Sequence, residues 1–229
     1  MVTFLCQAIY TINPKHTIII KSLLKISLLQ LALILSLSGY CQTTSLIVTN
    51  KKIPALLEKE ILKALSYYPE LKHTSIDFIF RDNIKNAVMQ AQPRVKSIFN
   101  DKSSRIYKIK ISRYIQLKEG LINIEDVPED ILVGWIAHEL GHVMDYLDRS
   151  SIQMLGFGIR YLTSKPFLKL AERNADSYAI THGLADHIVK TKNYILHNAN
   201  MPNDYKDRID ELYLSPEEVR TIQQEINSI

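Results

Sequence analysis

Between Pro128 and Asp148 apolar residues recur at helical spacing, at Leu132, Ile136, Leu140, Val143 and Leu147, with Glu129 and Asp130 in the first turn where the helix dipole favours acids. The spacing predicts one long helix. Set into it is the run His138-Glu139-Leu140-Gly141-His142. Residues four apart on an α-helix lie one above the other, so both imidazoles can address a single ion at roughly 2.0–2.1 Å. Glu139 follows the first histidine by one position and is offset from the pair, where a carboxylate can accept a proton from water. A pattern of this kind arises by chance in a chain of this length with a probability on the order of 1%. The plain alternative is two surface histidines on an amphipathic helix.

Two histidines do not hold a catalytic zinc, which takes three protein ligands and leaves a fourth position for water. The best candidate for the third is in Ala171-Glu172-Arg173-Asn174-Ala175-Asp176. On a helix predicted from Ser164-Lys165-Pro166 to just before Gly183, Glu172 and Asp176 share a face, and Ala175 and Ala179 are small enough for close packing against the histidine helix. Glu172 is expected as the ligand. Asp176 is expected to accept a hydrogen bond from the far nitrogen of one histidine, fixing its tautomer. Alone, Glu172 would read as an exposed helix carboxylate. A competing third ligand is Asp148, six residues after His142, with Asp145 where a glycine would be needed to turn the helix back toward the metal. Both aspartates also read as a solvated face with Arg149.

The remaining elements frame this pair of helices. Pro54 and the spacing of Ile53, Leu57, Ile61 and Leu65 predict an amphipathic helix over 53–65. Alternation predicts strands at Ile76 to Phe80 and at Tyr107 to Ile111, the second within a segment from Arg105 to Arg113 that is expected to be the sheet edge an extended substrate pairs with. Ile152 to Leu162 is apolar and periodic and is expected chiefly to pack in the core, with walling of the cleft or contact with a membrane surface as the alternatives. Further helices are predicted at Ala185 to His197, Tyr205 to Leu212, and after Ser215-Pro216-Glu217-Glu218, which supplies an N-cap, a first-turn proline and a capping-box glutamate. The fold class is therefore α+β, a small N-terminal sheet followed by a mainly helical C-terminal part.

The first 41 of the 229 residues differ from the rest: they carry Lys15, Lys21 and Lys25, no acid, and an apolar run from Ile26 to Leu37. That run is shorter than the about 20 residues of a spanning helix, so residues 1–41 are expected to be a cleaved export signal and 42–229 a single domain. Ser38-Gly39-Tyr40-Cys41 also raises a lipid anchor at Cys41, which the bulky Tyr40 disfavours. The protein is accordingly expected to be periplasmic or secreted, meeting a membrane only through the signal or such an anchor. With Cys6 in the signal too, the exported chain has no internal disulfide. Loss of the three lysines takes the basic residues from 28 to 25 against 24 acidic ones, a net charge of about +1. No basic run interleaved with aromatics is present, which speaks against nucleic acid as a partner.

From about Ile131 to Gly183 the sequence resembles the gluzincin branch of the zincin metallopeptidases, in particular the HtpX-type pattern of H-E-x-x-H followed by E-x-x-x-D. The resemblance covers about a quarter of the chain. It implies a zincin-like fold with His138, His142 and Glu172 as ligands of Zn2+, Glu139 as general base and proton shuttle, Asp176 as the orienting acid, and peptide or protein as substrate. Integral-membrane members of that group have several spanning helices that this chain lacks, so a small exported relative fits best. Zincins also use a donor to stabilise the oxyanion. His182, His187, Tyr178, Arg173 and Tyr205 are the candidates, with His182 ahead because it lies about one and a half turns past Asp176. Two other functions compete: a scaffold of the same fold with a structural zinc, against which the presence of Glu139 argues, and a metallohydrolase acting on something other than peptides.

Overall fold

The computed structural model describes residues 49–228 apart from positions 83, 85, 86 and 199. The expected signal, residues 1–41, lies outside the described residues. The described chain forms an α+β arrangement in which a mixed four-stranded sheet precedes six helices.

The sheet joins β1 (Lys51–Lys52), β2 (Ser75–Arg81), β3 (Met89–Pro93) and β4 (Ile106–Ser112) in the order β1-β2-β4-β3. The pairs β1·β2 and β2·β4 are parallel, whereas β3 runs antiparallel to β4 with Ala91 opposite Ile109. In β4, Tyr107, Ile109 and Ile111 are buried while Lys108 and Lys110 point away, which is the alternation read in the sequence. One expectation is corrected. The Arg105–Arg113 segment is not an edge, since β4 is hydrogen-bonded on both sides; the edges are β1 and β3. A hairpin of β5 (Tyr114–Leu117) and β6 (Gly120–Asn123) comes next, turning through Gly120 at φ +102°.

Between β1 and β2 runs α1 (Glu58–Leu65). It is shorter than the 53–65 predicted, because Leu57 takes φ −125° and sets off Ala55–Leu57 as a separate 3-10 turn after Pro54. This buries Leu57 together with Ile61 and Leu65.

The long helix α2 (Glu129–Leu147) packs against α1, β3, α4 (Lys165–Thr181) and α5 (Ala185–His197). It is buried all round rather than along the single stripe its period suggested: Val133, Trp135 and Ala137 are as enclosed as Leu132, Ile136 and Leu140. Two glycines make this possible. A Cβ on Gly134 would stand 2.5 Å from the His187 carbonyl oxygen on α5, and one on Gly141 would stand 2.3 Å from the Ala175 carbonyl oxygen on α4. Backbone therefore touches backbone at both crossings.

The helix α3 (Ser151–Thr163) lies between α2 and α4 in sequence and starts on a capping box of Ser150 and Gln153. Its Met154 and Phe157 turn inward, as expected, but Ile152, Leu155, Ile159 and Leu162 turn outward. Helix α4 ends at His182 with Gly183 at φ +82°, as the sequence indicated. The last two helices are α6 (Asn203–Leu212), begun two residues earlier than read because Pro202 caps it, and α7 (Pro216–Asn227) with the Ser215–Glu218 capping box in place. No described helix is long and apolar enough to cross a membrane.

Candidate metal centre

Helix α2 carries His138 and His142 on the face turned toward α4, and the Gly141–Ala175 contact brings α4 close enough for Glu172 to reach both. His138 Nε2 lies 3.0 Å and His142 Nε2 3.3 Å from Glu172 Oε2. One donor atom from each residue falls within 4.8 Å of the others, and all three residues are buried. Ligands about 2.1 Å from a tetrahedral ion stand about 3.4 Å apart; the two histidine–glutamate separations lie close to this, and no pair of donor atoms exceeds 4.8 Å. The group could hold a metal ion.

The chemistry of the donors fits a cation as well as their spacing does. Asp176 Oδ1 is 2.9 Å from His138 Nδ1, and the Asp176 carboxyl is held below its usual range: burial opposes ionisation, but the Lys192 ammonium and His138 outweigh it. An ionised Asp176 accepts the Nδ1 proton, which leaves the His138 Nε2 lone pair directed at a carboxylate oxygen. Two acceptors face each other there, and a positive charge must lie between them. Where that charge is a proton, burial disfavours it on His138 while Asp176 and Glu172 more than offset the penalty, raising the imidazole to about 10. Glu172 is pushed well below the carboxylate range, against the effect of its own burial, by His142 and His138. His142 Nδ1 is buried and has no hydrogen-bond partner among the described residues, so nothing outside the triad fixes that ring's tautomer.

Two partners of this group were not legible in the sequence. The Tyr161 hydroxyl, on the inner face of α3, donates to Glu172 Oε1, so that Oε2 alone faces the histidines. Lys192, on α5, is almost fully enclosed and donates to Asp176 Oδ2 at 2.8 Å, while Leu214 N donates to the same oxygen at 3.0 Å.

Glu139 is offset from the triad and points toward the sheet, where it accepts a hydrogen bond from Ala91 N on β3. Its pKa is raised, by burial first and by the nearby Glu172 charge, with the two histidines and the Ala91 amide opposing. Val88 O and Arg94 N bond to β4, so positions 89, 91 and 93 of β3 direct their backbone groups away from it. The open edge of the sheet thus runs beside Glu139.

Beside His138 and Glu139 opens a small pocket of about 40 Å³ whose lining includes Val88, Ile188, Ile209, Tyr205 and Tyr213. Burial raises the phenols of Tyr205 and Tyr213, so both stay protonated donors. Tyr213 was not singled out in the sequence, and of the five oxyanion candidates only Tyr205 lines this cavity. His182 is held elsewhere: its ring stacks on Tyr68 at 4.4 Å, Nδ1 faces the Tyr178 carbonyl and Nε2 faces Glu70. His187 faces the Asp130 carbonyl, Arg173 binds Glu218 and the Tyr213 carbonyl, and Tyr178 lies against the His182 ring. Asp145 pairs with Arg149, and Asp148 is the exposed C-cap of an unbroken α2, so neither joins the triad.

The chain matches no protein-family model, no curated protein and no solved structure. The site therefore rests on its own geometry. Two histidines four apart on one helix and a glutamate on a second, all buried, are consistent with a zincin-like metal site.

Proposed function

We propose that this protein is a zinc-dependent metallopeptidase, with His138, His142 and Glu172 as the metal ligands and Glu139 as the general base. The observation that carries this reading is the placement of Glu139. A site that served structure alone would have no use for a carboxylate that misses the ligand set yet stands between it and an open sheet edge. Zinc held by this triad would polarise a carbonyl and lower the pKa of water toward about 7.

The protein's own groups account for the rest. An extended peptide pairs with the outward carbonyls of β3 and the Met89 N–H, which lays its scissile bond alongside Glu139. Glu139, its proton affinity raised by burial, takes a proton from the attacking water and returns it to the leaving amine. Tyr205 or Tyr213, protonated and lining the adjoining cavity, donates to the oxyanion that develops on the carbonyl. Asp176 and Tyr161 hold His138 and Glu172 in orientation throughout. Export through residues 1–41 remains part of the same proposal.

Elemental analysis of the purified chain, together with digestion of an unstructured protein in the presence and absence of a chelator, tests the reading. One zinc per chain and chelator-sensitive cleavage are expected. Zinc without cleavage of any peptide, but with hydrolysis of another ester or amide, would move the protein to the non-peptidase metallohydrolases, and zinc without hydrolysis would make it a scaffold.

A further inference from the structure

We propose that the outer face of α3 docks this protein on the surface of an anionic lipid bilayer. The proposal is independent of the metal site and of the reaction assigned to it.

Helix α3 is apolar on two opposite faces. Met154 and Phe157 are buried, and Tyr161 reaches inward to Glu172. Ile152, Leu155, Ile159 and Leu162, spaced by three, four and three residues, form a second line on the other side, 83%, 43%, 64% and 83% exposed. Single exposed apolar residues are ordinary on a soluble surface, but a line of four along one helix marks a contact surface. The line is extended at its start, where Ser151 Oγ donates to the Ile98 carbonyl at 2.7 Å and the next residue, Phe99, is 69% exposed. Glycines 156 and 158 face open space, where a Cβ at either would meet no atom within 4 Å.

Charge decides what covers this face. From Arg149 to Ala171 the chain has four basic residues, Arg149, Arg160, Lys165 and Lys169, and no acidic one. Arg149 is engaged by Asp145 and Lys165 by Glu211, whereas Arg160 lies exposed over the Phe167 ring and Lys169, exposed on α4 with no hydrogen-bonded acid among the described residues, acts on Glu218 through space. Near Phe99, Lys96 is exposed, whereas Lys102 donates to the Asp148 carbonyl at 2.6 Å and the exposed Asp101 precedes it. An apolar stripe edged with cations is what an interfacial helix offers to acyl chains and anionic headgroups. A second copy fits worse, because a two-fold contact would bring two copies of the same acid-free stretch, 149–171, together with no carboxylate on either to pair the other's cations.

The test uses the full chain sedimented with vesicles of phosphatidylcholine alone or mixed with phosphatidylglycerol. Binding to the mixed vesicles is expected to exceed binding to phosphatidylcholine and to weaken as salt is raised. Ile159→Glu with Leu162→Glu should lower it about tenfold or more, and Arg160→Glu with Lys169→Glu should lower it on the anionic vesicles while leaving the apolar line intact. Ile159→Trp should report brominated lipid by quenching above the background of the buried Trp135. Both pairs of substitutions lie on exposed side chains, and an unchanged urea midpoint confirms that they fold. The proposal is overturned if the Ile159 and Leu162 double variant sediments like the parent, which would put membrane binding elsewhere on the chain. Absence of quenching at position 159, or a stripe variant that changes only the sedimentation coefficient of the free protein, overturns it equally, the last by showing that a second copy covers the face.

Discussion

Lys192 Nζ stands 2.8 Å from Asp176 Oδ2, and both side chains are enclosed. A buried carboxylate that orients a histidine needs a counter-charge to stay ionised, and Lys192 supplies it from a third helix. Lys192→Met should therefore weaken zinc binding by about 10 to 100 fold, as loss of such supporting partners does. It should also lower stability by about 3–5 kcal/mol, because one partner of a buried pair remains charged. Lys192→Arg should recover part of the affinity. Zinc titration and urea unfolding of the two variants give the answer, and equal zinc affinity in Lys192→Met and the parent would show that Asp176 holds His138 unaided.

Replacing Glu139 by Gln removes the proton acceptor and leaves the triad untouched. Zinc content should stay at one per chain while peptide hydrolysis falls at least about a hundredfold. Near-normal turnover in that variant would place the general base elsewhere.

Among the ligand variants, Glu172→Ala should all but abolish tight zinc binding, and Asp148→Ala should leave it intact. The structure gives the reason: Glu172 Oε2 is within 3.3 Å of both histidine nitrogens, whereas Asp148 caps α2 in solvent. A titration in which the order of the two is reversed would return the third ligand to the C-terminus of α2.

A methyl group at position 141 has no room, since it would meet the Ala175 carbonyl oxygen at 2.3 Å. Gly141→Ala must push α4 away from α2, and Glu172 moves with it. A loss of about 1–3 kcal/mol in stability from overpacking should be accompanied by weaker zinc binding, and urea unfolding with and without zinc separates the two effects. A stable variant with parental affinity would show that the helices can part without disturbing the ligands.

Acid unfolding offers a check away from the centre. Glu218 is drawn down to about 2, first by its hydrogen bond to Arg173 and then by the Ser215 amide. Its folded pKa is below the unfolded one of about 4.3, so its contribution is present above the unfolded value and is lost as pH falls from there toward 2. Between pH 5 and pH 2 the parent should lose more stability than Glu218→Gln, a difference that parallel pH–stability curves would rule out. Ser215→Ala, which removes the cap itself, should cost about 1 kcal/mol at neutral pH.

Helices α2, α4 and α7 were legible because their signals are local: a sustained period, acids or proline in the first turn, a capping box, a terminal Gly183. So was the triad, once Glu172 and Asp176 were placed one turn apart on a helix of their own. Strand β3 was not. Met89-Gln90-Ala91-Gln92-Pro93 has no β-branched residue and ends in proline, and it is a strand because it pairs with β4 and donates to Glu139, both distant in sequence. Lys192 reads as a surface lysine between Thr191 and Asn193, and only the position of Asp176 turns it inward. Tyr161 was noted as part of an apolar segment, yet its hydroxyl was the informative atom. The full burial of α2 did have a signal, in the small residues Gly134, Ala137 and Gly141 off the main stripe, but period alone does not separate a one-sided helix from an enclosed one.

The edge formed by β3 bears on solubility. It is five residues long, and of its three outward positions Ala91 gives its N–H to Glu139 and Pro93 has none, which leaves Met89 alone with an uncommitted N–H among the described residues. Strand-to-strand polymerisation needs a row of free donors and acceptors to serve as a template. This edge can accept a short visiting segment at a defined register, but it is too poor in donors to seed the stacking of one molecule on the next.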